Sequence, residues 1–223
     1  MKTPTIVFLH GFLGEPEDWL PVIAHLPCEY QCEALDLNAP DPLVHAKILL
    51  EKQLSSFFLV GYSMGGRIAW QLASMFSFAL EGMILLGAHP GLDSEEERKE
   101  RLKSDQYWID LLQTGDMSDF LQKWYSQPLF ATVRKKEELI AKRMKRDPVI
   151  LADMMRTMSL GRQPKLSPFS PTLFLYGIED VKYGKMYSNQ EFVEAIPDAG
   201  HAAHIENPEA VASAIKRFVE ENS

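Results

Sequence analysis

The sequence predicts an α/β fold built on a mostly parallel sheet of about six strands, and three observations support this prediction. Short apolar runs, typical of strands buried on both faces, alternate with amphipathic helix-like stretches in the first half of the chain. Strand-like runs return near the end of the chain. A chain of 223 residues with 46% hydrophobic and 24% charged residues also buries one large core without a disulfide or metal.

The predicted strands and helices follow one another in the order of a parallel sheet that is covered on both faces. The strands are predicted at Thr5–Leu9, Gln31–Asp36, Ser56–Val60, Met83–Leu86, Pro171–Tyr176 and Glu191–Ile196. The helices that accompany them are predicted at Asp18–Leu26, Leu43–Gln53, Met64–Phe78 and Asn207–Glu221. Asn207 is placed as the N-cap of the last helix, because Pro208 suits its first position.

A long helical block interrupts this alternation from His89 to about Ser170. Helices are predicted there at Asp93–Lys103, Asp105–Thr114, Ser118–Tyr125, Lys135–Lys145 and Pro148–Ser159. Because strands are predicted on both sides of the block, we interpret it as an inserted helical cap over residues 89–170. The core is then formed by residues 1–88 and 171–223.

Composition excludes several classes of protein. A net charge of −8 and a pI near 5.3 argue against a general nucleic-acid binder, which needs a basic surface. The two cysteines form neither a disulfide framework nor a zinc-type pair, which favours a reducing compartment. No membrane or targeting segment is predicted, since the first apolar run ends after Leu9. We therefore expect a cytoplasmic protein that does not bind membranes, and a monomer or weak homo-oligomer.

The most informative segment is Gly61-Tyr-Ser63-Met-Gly65, which lies between a predicted strand and a predicted helix. This context is the one that a nucleophile elbow requires. The small residues Gly61 and Gly65 relieve crowding in the tight turn, so the Ser63 hydroxyl projects at the carboxyl edge of the sheet. We therefore predict Ser63 as the reactive serine.

A serine hydroxyl needs a base, and the base needs an orienting acid. Asp180 follows a late predicted strand, with Glu179 as the fallback acid. His201 follows Gly200 in the loop before the last helix, and His204 is left as structural or ligand-binding. The order serine, acid, histidine is that of the α/β-hydrolases, so Ser63, Asp180 and His201 are predicted as a catalytic triad.

Two backbone amides are predicted as donors to a negative oxygen. The Met64 amide lies at the start of the helix after Ser63, and the Phe12 amide lies in the glycine-containing loop after the first strand. His10 is expected to shape that loop. For His89, packing and ligand contact remain equally open.

Several longer segments resemble the menaquinone-pathway lyases of the α/β-hydrolase superfamily, and the similarity covers nearly the whole chain. The matching segments are Val7–Phe12 (VFLHGF), Val60–Arg67 (VGYSMGGR), His89–Leu92 (HPGL), Trp124–Ala131 (WYSQPLFA) and Ala199–Pro208 (AGHAAHIENP). The elbow and the first loop are shared by the whole superfamily. The HPGL stretch, the cap stretch from Trp124 and the arginine after the elbow are narrower signals.

This resemblance implies an α/β-hydrolase fold with a cap, and a cofactor-free, metal-free elimination of pyruvate. Most α/β-hydrolases carry two strands before the one that corresponds to Thr5–Leu9, so we expect a trimmed sheet of about six strands here. The substrate would be a small-molecule polycarboxylate: a cyclohexene carboxylate with a succinyl group and an enolpyruvyl ether. Ser63 would act as the base that takes the ring proton. The resemblance assigns the substrate's carboxylates to Arg67, Arg98, Arg101 and Arg143. It assigns the pocket walls to Tyr62, Trp124 and Tyr125.

The residues leave alternatives open. Arg98, Arg101 and the basic run 134–146 could be solvated helix faces, and Trp124 and Tyr125 could be cap core. A carboxylesterase or thioesterase would use the same triad, and a binding protein could retain the fold. The loop Asp36–Asp41 also departs from a Gly-His-Gly stretch that is common in the family, which predicts local remodelling there.

Overall fold

A computed structural model describes residues 3–166, 169 and 171–223. Its centre is a parallel sheet of six strands in the order β2-β1-β3-β4-β5-β6. The strands are β1 (Thr5–Leu9), β2 (Gln31–Leu35), β3 (Phe57–Tyr62), β4 (Leu80–Leu86), β5 (Thr172–Gly177) and β6 (Phe192–Ile196). The parallel sheet of six strands predicted from the sequence is therefore confirmed.

Alternation along the strands produces a core on each face of the sheet. In β1, Ile6 and Phe8 pack into one buried cluster, whereas Val7 and Leu9 pack into the other. The helices beside the strands are α1 (Leu20–Ile23), α2 (Pro42–Glu51), α3 (Met64–Leu72), α8 (Val181–Tyr187), α9 (Ala203–Glu206) and α10 (Pro208–Asn222). Both faces of the sheet are thus covered by apolar packing.

The inserted cap lies between β4 and β5. Its helices are α4 (Glu95–Thr114), α5 (Met117–Tyr125), α6 (Lys136–Arg143) and α7 (Pro148–Thr157). Helix α4 packs against α7, and α5 packs against α6. The expected end of the cap at Ser170 falls outside the described residues.

Three predictions about helices were wrong. Asp93–Lys103 and Asp105–Thr114 belong to the single helix α4, because Ser104 is tolerated inside a long helix that begins with a capping box. Asp18–Leu26 is a 3₁₀ turn, Pro16–Trp19, followed by the short α1, since Pro21 cannot donate inside a longer helix. The helix from Met64 ends at Leu72 and continues only as a 3₁₀ turn.

Strand β4 begins earlier than predicted, because Leu80 already pairs with Phe57 of β3. Helices α8 and α9, which flank the predicted acid and histidine, were not predicted. Across the residues that the structure describes, no helix combines the length and apolar character needed to cross a membrane.

Candidate active site

Ser63 lies in a strained turn between β3 and α3. Its backbone has φ 51° and ψ −110°, a conformation that residues other than glycine rarely adopt. A Cβ placed on Gly65 would lie 2.3 Å from the carbonyl oxygen of His10, so the turn packs directly against the end of β1. The Ser63 amide donates to the Leu86 carbonyl at 2.8 Å, which ties the turn to β4.

The structure brings the three predicted triad side chains together. His201 Nδ1 lies 2.8 Å from Asp180 Oδ2, and His201 Nε2 lies 3.4 Å from Ser63 Oγ. Asp180 accepts the Nδ1 proton, which leaves Nε2 free to accept a proton from serine. The contact between Ser63 and His201 is the longer of the two, and it is within reach for proton transfer from serine to histidine.

The loop that carries His201 is fixed by contacts that sequence reasoning missed. The Glu206 carboxylate accepts from the Gly200 amide at 3.1 Å and from the Ala202 amide at 3.0 Å. Gly87 has φ +58°, and a Cβ there would lie 2.8 Å from His201 Cε1. The position of Glu206 shortly after His201 was visible in the sequence. The amides that it binds become clear only in the folded structure.

The residues that carry the predicted amide donors lie close to Ser63. Met64 is the first residue of α3, where amides lack partners within the helix. Gly11 approaches Ser63 so closely that a Cβ on Gly11 would lie 3.5 Å from Ser63 Cβ, and Phe12 follows it. Phe12, Ser63 and Met64 line one cavity. The arrangement suits a negative oxygen held by two backbone amides.

His10 shapes the loop before Phe12, as expected. Its Nε2 accepts from the Leu37 amide at 2.9 Å, so Nδ1 carries the proton and donates to the Gly11 carbonyl at 2.8 Å. His10 is buried and is not among the residues that line the cavity. Its geometry is that of a structural histidine.

The cavity above Ser63 has a volume of about 360 Å³. It lies between the sheet edge and the cap, since residues of both line it. Most of the predicted site residues line it: Phe12, Tyr62, Ser63, Met64, Arg67, Arg101, Trp124, Tyr125, Arg143 and His201. Asp180 lies behind His201. Arg98 is not among the lining residues.

Arg67 is a buried cation without a carboxylate partner among the described residues. It donates to the side-chain oxygen of Gln163 at 2.9 Å, and Gln163 in turn donates to the His89 carbonyl at 3.1 Å. Burial, together with the charge of Arg101, lowers the pKa of Arg67 to about 10, so it remains charged at neutral pH. A buried unpaired cation is costly and favours an anionic ligand.

The other predicted arginines already have partners in the protein. Arg101 Nε lies 2.7 Å from Asp105 Oδ1. Arg98 donates to the carbonyls of Leu92 at 3.0 Å and Gln163 at 2.7 Å, so the structure does not bring its guanidinium into the cavity. Its bonds instead connect α4 to the segments before and after the cap helices.

Arg143 lines the cavity but is paired with two acids. It is 2.5 Å from Asp18 and 3.2 Å from Glu15, and all three side chains are buried. Burial alone would raise the pKa of Asp18, but the hydrogen bond and charge of Arg143 outweigh it and hold that pKa below its ordinary value. The charge of Arg143 is therefore largely balanced within the protein.

Lys182, which was not predicted, also lines the cavity. It lies on α8, near Asp180, and no ion pair joins it to a described carboxylate. Burial of part of its side chain, with the charge of Arg101, lowers the pKa of Lys182. Burial and the nearby charges of Lys182 and Arg67 lower the pKa of His89 to about 4, so His89 is neutral at pH 7.

Aromatic side chains complete the walls. Trp124 stacks on Phe120, with ring centroids 5.8 Å apart, and also contacts Phe12 at 5.1 Å. The Tyr62 and His204 rings are 4.2 Å apart. Burial lowers the pKa of His204 to about 3, so this second histidine is neutral and packed rather than paired with Asp180.

No group of three or more histidine, cysteine or acidic residues in the described parts of the chain is arranged to hold a metal ion. The chemistry that these side chains themselves provide is acid–base or nucleophilic. It combines a serine within reach of a histidine, two candidate amide donors and a cationic cavity wall.

The fold and this site define a protein of the α/β-hydrolase class. The Alpha/beta hydrolase family matches residues 6–214. A 2-succinyl-6-hydroxy-2,4-cyclohexadiene-1-carboxylate synthase from Enterobacter sp. (strain 638) is 35% identical, over 97% of this chain and 92% of that protein. The synthase of the same name from Escherichia coli (strain K12) is 33% identical, over 97% of this chain and 94% of that protein.

Solved structures give the same result. MenH from S. aureus superimposes with a TM-score of 0.90 at 25% identity, over 100% of this chain and 96% of that one. An enol-lactonase from Burkholderia xenovorans LB400, at 15% identity and a TM-score of 0.75 over 99% of this chain and 92% of that one, shares the fold. The chain therefore belongs to the α/β hydrolase family and, within it, to the 2-succinyl-6-hydroxy-2,4-cyclohexadiene-1-carboxylate synthases, and it is an enzyme.

Proposed function

We propose that the enzyme eliminates pyruvate from 2-succinyl-5-enolpyruvyl-6-hydroxy-3-cyclohexene-1-carboxylate, forming 2-succinyl-6-hydroxy-2,4-cyclohexadiene-1-carboxylate for menaquinone biosynthesis. The observation that carries the proposal is Arg67, a cation that no described carboxylate neutralises, in the cavity that Ser63 and His201 also line. An activated serine beside a carboxylate-binding cation suits proton abstraction from an anionic substrate better than attack on a neutral ester.

Proton removal begins at Ser63. His201 Nε2 accepts the hydroxyl proton, and Asp180 stabilises the imidazolium that forms. The Ser63 oxygen takes the proton from the ring carbon that bears the succinyl group. That proton is acidic because the carbonyl beside it can carry the charge as an enolate.

The enolate then collapses through the ring double bond. The new double bond forms beside the succinyl group, the ring double bond shifts, and the carbon–oxygen bond of the enolpyruvyl ether breaks. The enolpyruvate that leaves takes a proton and becomes pyruvate. The Phe12 and Met64 amides stabilise the negative oxygen while it exists, which lowers the barrier without any cofactor.

Carboxylate recognition falls mainly to the cations that the protein leaves available. The substrate carries carboxylates on the ring, the succinyl group and the enolpyruvyl group. Arg67 is unpaired among the described residues, and Arg101 shares its charge with Asp105. Arg143, with its two acidic partners, is proposed to contact substrate less strongly. Arg98 is proposed to act indirectly, by holding the cap segments to which it is bonded.

The alternative is a carboxylesterase or thioesterase. The same Ser63–His201–Asp180 geometry would also support attack on an ester carbonyl and an acyl-enzyme. The two proposals differ in substrate charge, since a simple aryl ester offers the cationic wall no partner.

Incubation of the purified protein with the enolpyruvyl substrate is expected to release pyruvate and the diene product in equal amounts. Pyruvate is followed with a coupled dehydrogenase and the diene by its ultraviolet absorbance. Aryl esters are expected to be turned over only feebly. Fast ester hydrolysis without pyruvate release would contradict the lyase proposal and favour the esterase.

A further inference from the structure

The turn that carries the Phe12 amide is closed by one internal hydrogen bond, from the Gly14 amide to the Gly11 carbonyl at 3.0 Å. Within it, the buried Leu13 has φ 66°. A leucine in this left-handed conformation is strained, and it persists only when surrounding contacts hold it. The conformation of the turn therefore depends on hydrogen bonds from residues outside it.

The first of these hydrogen bonds comes from His10 in the core. His10 donates to the Gly11 carbonyl at 2.8 Å and accepts from the Leu37 amide at 2.9 Å. This histidine connects the start of the turn to the backbone just after β2. It fixes the end of the turn that lies nearest to Ser63. Its ring also packs against Gly14, where an added Cβ would lie 2.9 Å from His10 Nδ1, but its hydrogen bonds go to Gly11 and Leu37 and not to the Gly14 carbonyl.

The second hydrogen bond comes from the cap. Arg146, just after α6, donates through Nη2 to the Gly14 carbonyl at 2.6 Å. Its Nη1 lies 3.7 Å from Asp36 Oδ1, and the same oxygen lies 3.3 Å from His10 Nε2. Arg146 thus joins the cap, the far end of the turn and the loop after β2, and its side chain is only 16% exposed.

Arg146 does not line the cavity that holds Ser63; it lines a smaller pocket beside it, and Met154 borders both. Arg143, by contrast, lines the cavity that holds Ser63. A change at Arg143 would therefore mix loss of binding with loss of positioning, whereas a change at Arg146 alters a side chain outside the cavity lining. A charge-assisted bond to a backbone carbonyl is also among the stronger hydrogen bonds.

We propose that Arg146 is a positioning residue, a cap side chain that holds the Gly14 carbonyl and so keeps the Phe12 amide aimed at the reacting oxygen. The inference rests on the proposed function, since the role of Phe12 as a donor belongs to it. It connects the position of the cap to the assembly of the oxyanion site.

The kinetic test compares Arg146→Met with Lys142→Met. Lys142 is an exposed cation on α6, so both changes remove one positive charge from the same region, and only Arg146 reaches the turn. Arg146→Met is expected to lower kcat about tenfold, since a donor is misplaced but not removed, and to leave KM nearly unchanged. Arg146→Lys should recover part of kcat, because an ammonium can still donate to Gly14.

Hydrogen exchange of the peptide around Gly11–Gly14 provides a readout that does not depend on activity. Exchange should be faster in Arg146→Met than in the wild type or Lys142→Met. Equal exchange and equal kcat in the two methionine variants would overturn the proposal, as would a rise in KM with unchanged kcat. If the wild type releases no pyruvate, the proposed function fails, and the exchange result alone then decides whether Arg146 holds the turn.

Discussion

Replacement of His201 by alanine is expected to lower the rate of pyruvate release by at least about a thousandfold, because triad members act as a unit. His201 is the histidine that contacts both Ser63 and Asp180, at 3.4 Å and 2.8 Å. Ser63→Ala should have a loss of similar size. The measurement is single-turnover pyruvate release at saturating substrate.

His204→Ala is the matched control for this prediction. His204 is equally buried and lines the same cavity, but it packs between the Trp19 and Tyr62 rings and does not contact Asp180. His204→Ala should therefore lower the melting temperature, which is measured by circular dichroism. Turnover per molecule of folded enzyme should fall much less than in His201→Ala. If His204→Ala were the more damaged of the two in turnover, the assignment of the base would be wrong.

Arg67→Ala is expected to lower kcat/KM by about a hundredfold to a thousandfold, the scale for a buried charge that loses its partner. The reason is that a substrate carboxylate would lose the one lining arginine that no described carboxylate neutralises. Arg67→Lys should recover only part of this loss, because the planar fork that binds a carboxylate through two bonds is absent in lysine.

Arg162→Ala provides the control, since it removes the same charge from an exposed position outside the cavity lining. It should leave kcat/KM close to the wild-type value. Full activity of Arg67→Lys would exclude the two-bond role. A melting curve that shows Arg67→Ala to be unfolded at the assay temperature would make Arg67 a structural residue instead.

The sheet and the elbow were predictable because their signals are local. Each strand is a short apolar run, and the glycines around Ser63 mark a turn that admits no side chain. The fold class and the convergence of Ser63, Asp180 and His201 follow from this order of elements along a parallel sheet. The predicted helix ends were less accurate, because the effect of a single residue on a helix depends on its context. Pro21 limits α1 to one short turn, whereas Ser104 lies inside α4 without interrupting it.

The partners of the arginines were not predictable, because packing between distant segments decides them. Arg67 meets Gln163 across the cap insertion, and Arg143 meets Asp18 across most of the chain. These arginines look alike in the sequence but differ in the structure. Arg67 has no carboxylate partner in the described parts of the chain, Arg143 is ion-paired, and Arg98 binds backbone carbonyls. Lys182 escaped prediction for the same reason, since its place at the cavity depends on α8.

The central claim is that Ser63 removes a proton and never bonds to the substrate. The most direct test quenches the wild-type enzyme during turnover of the enolpyruvyl substrate and measures the mass of the intact protein. We predict an unchanged protein mass while pyruvate accumulates, because elimination leaves the serine oxygen free. A substrate-derived mass on Ser63 that forms and decays at the rate of pyruvate release would contradict the account and establish covalent catalysis.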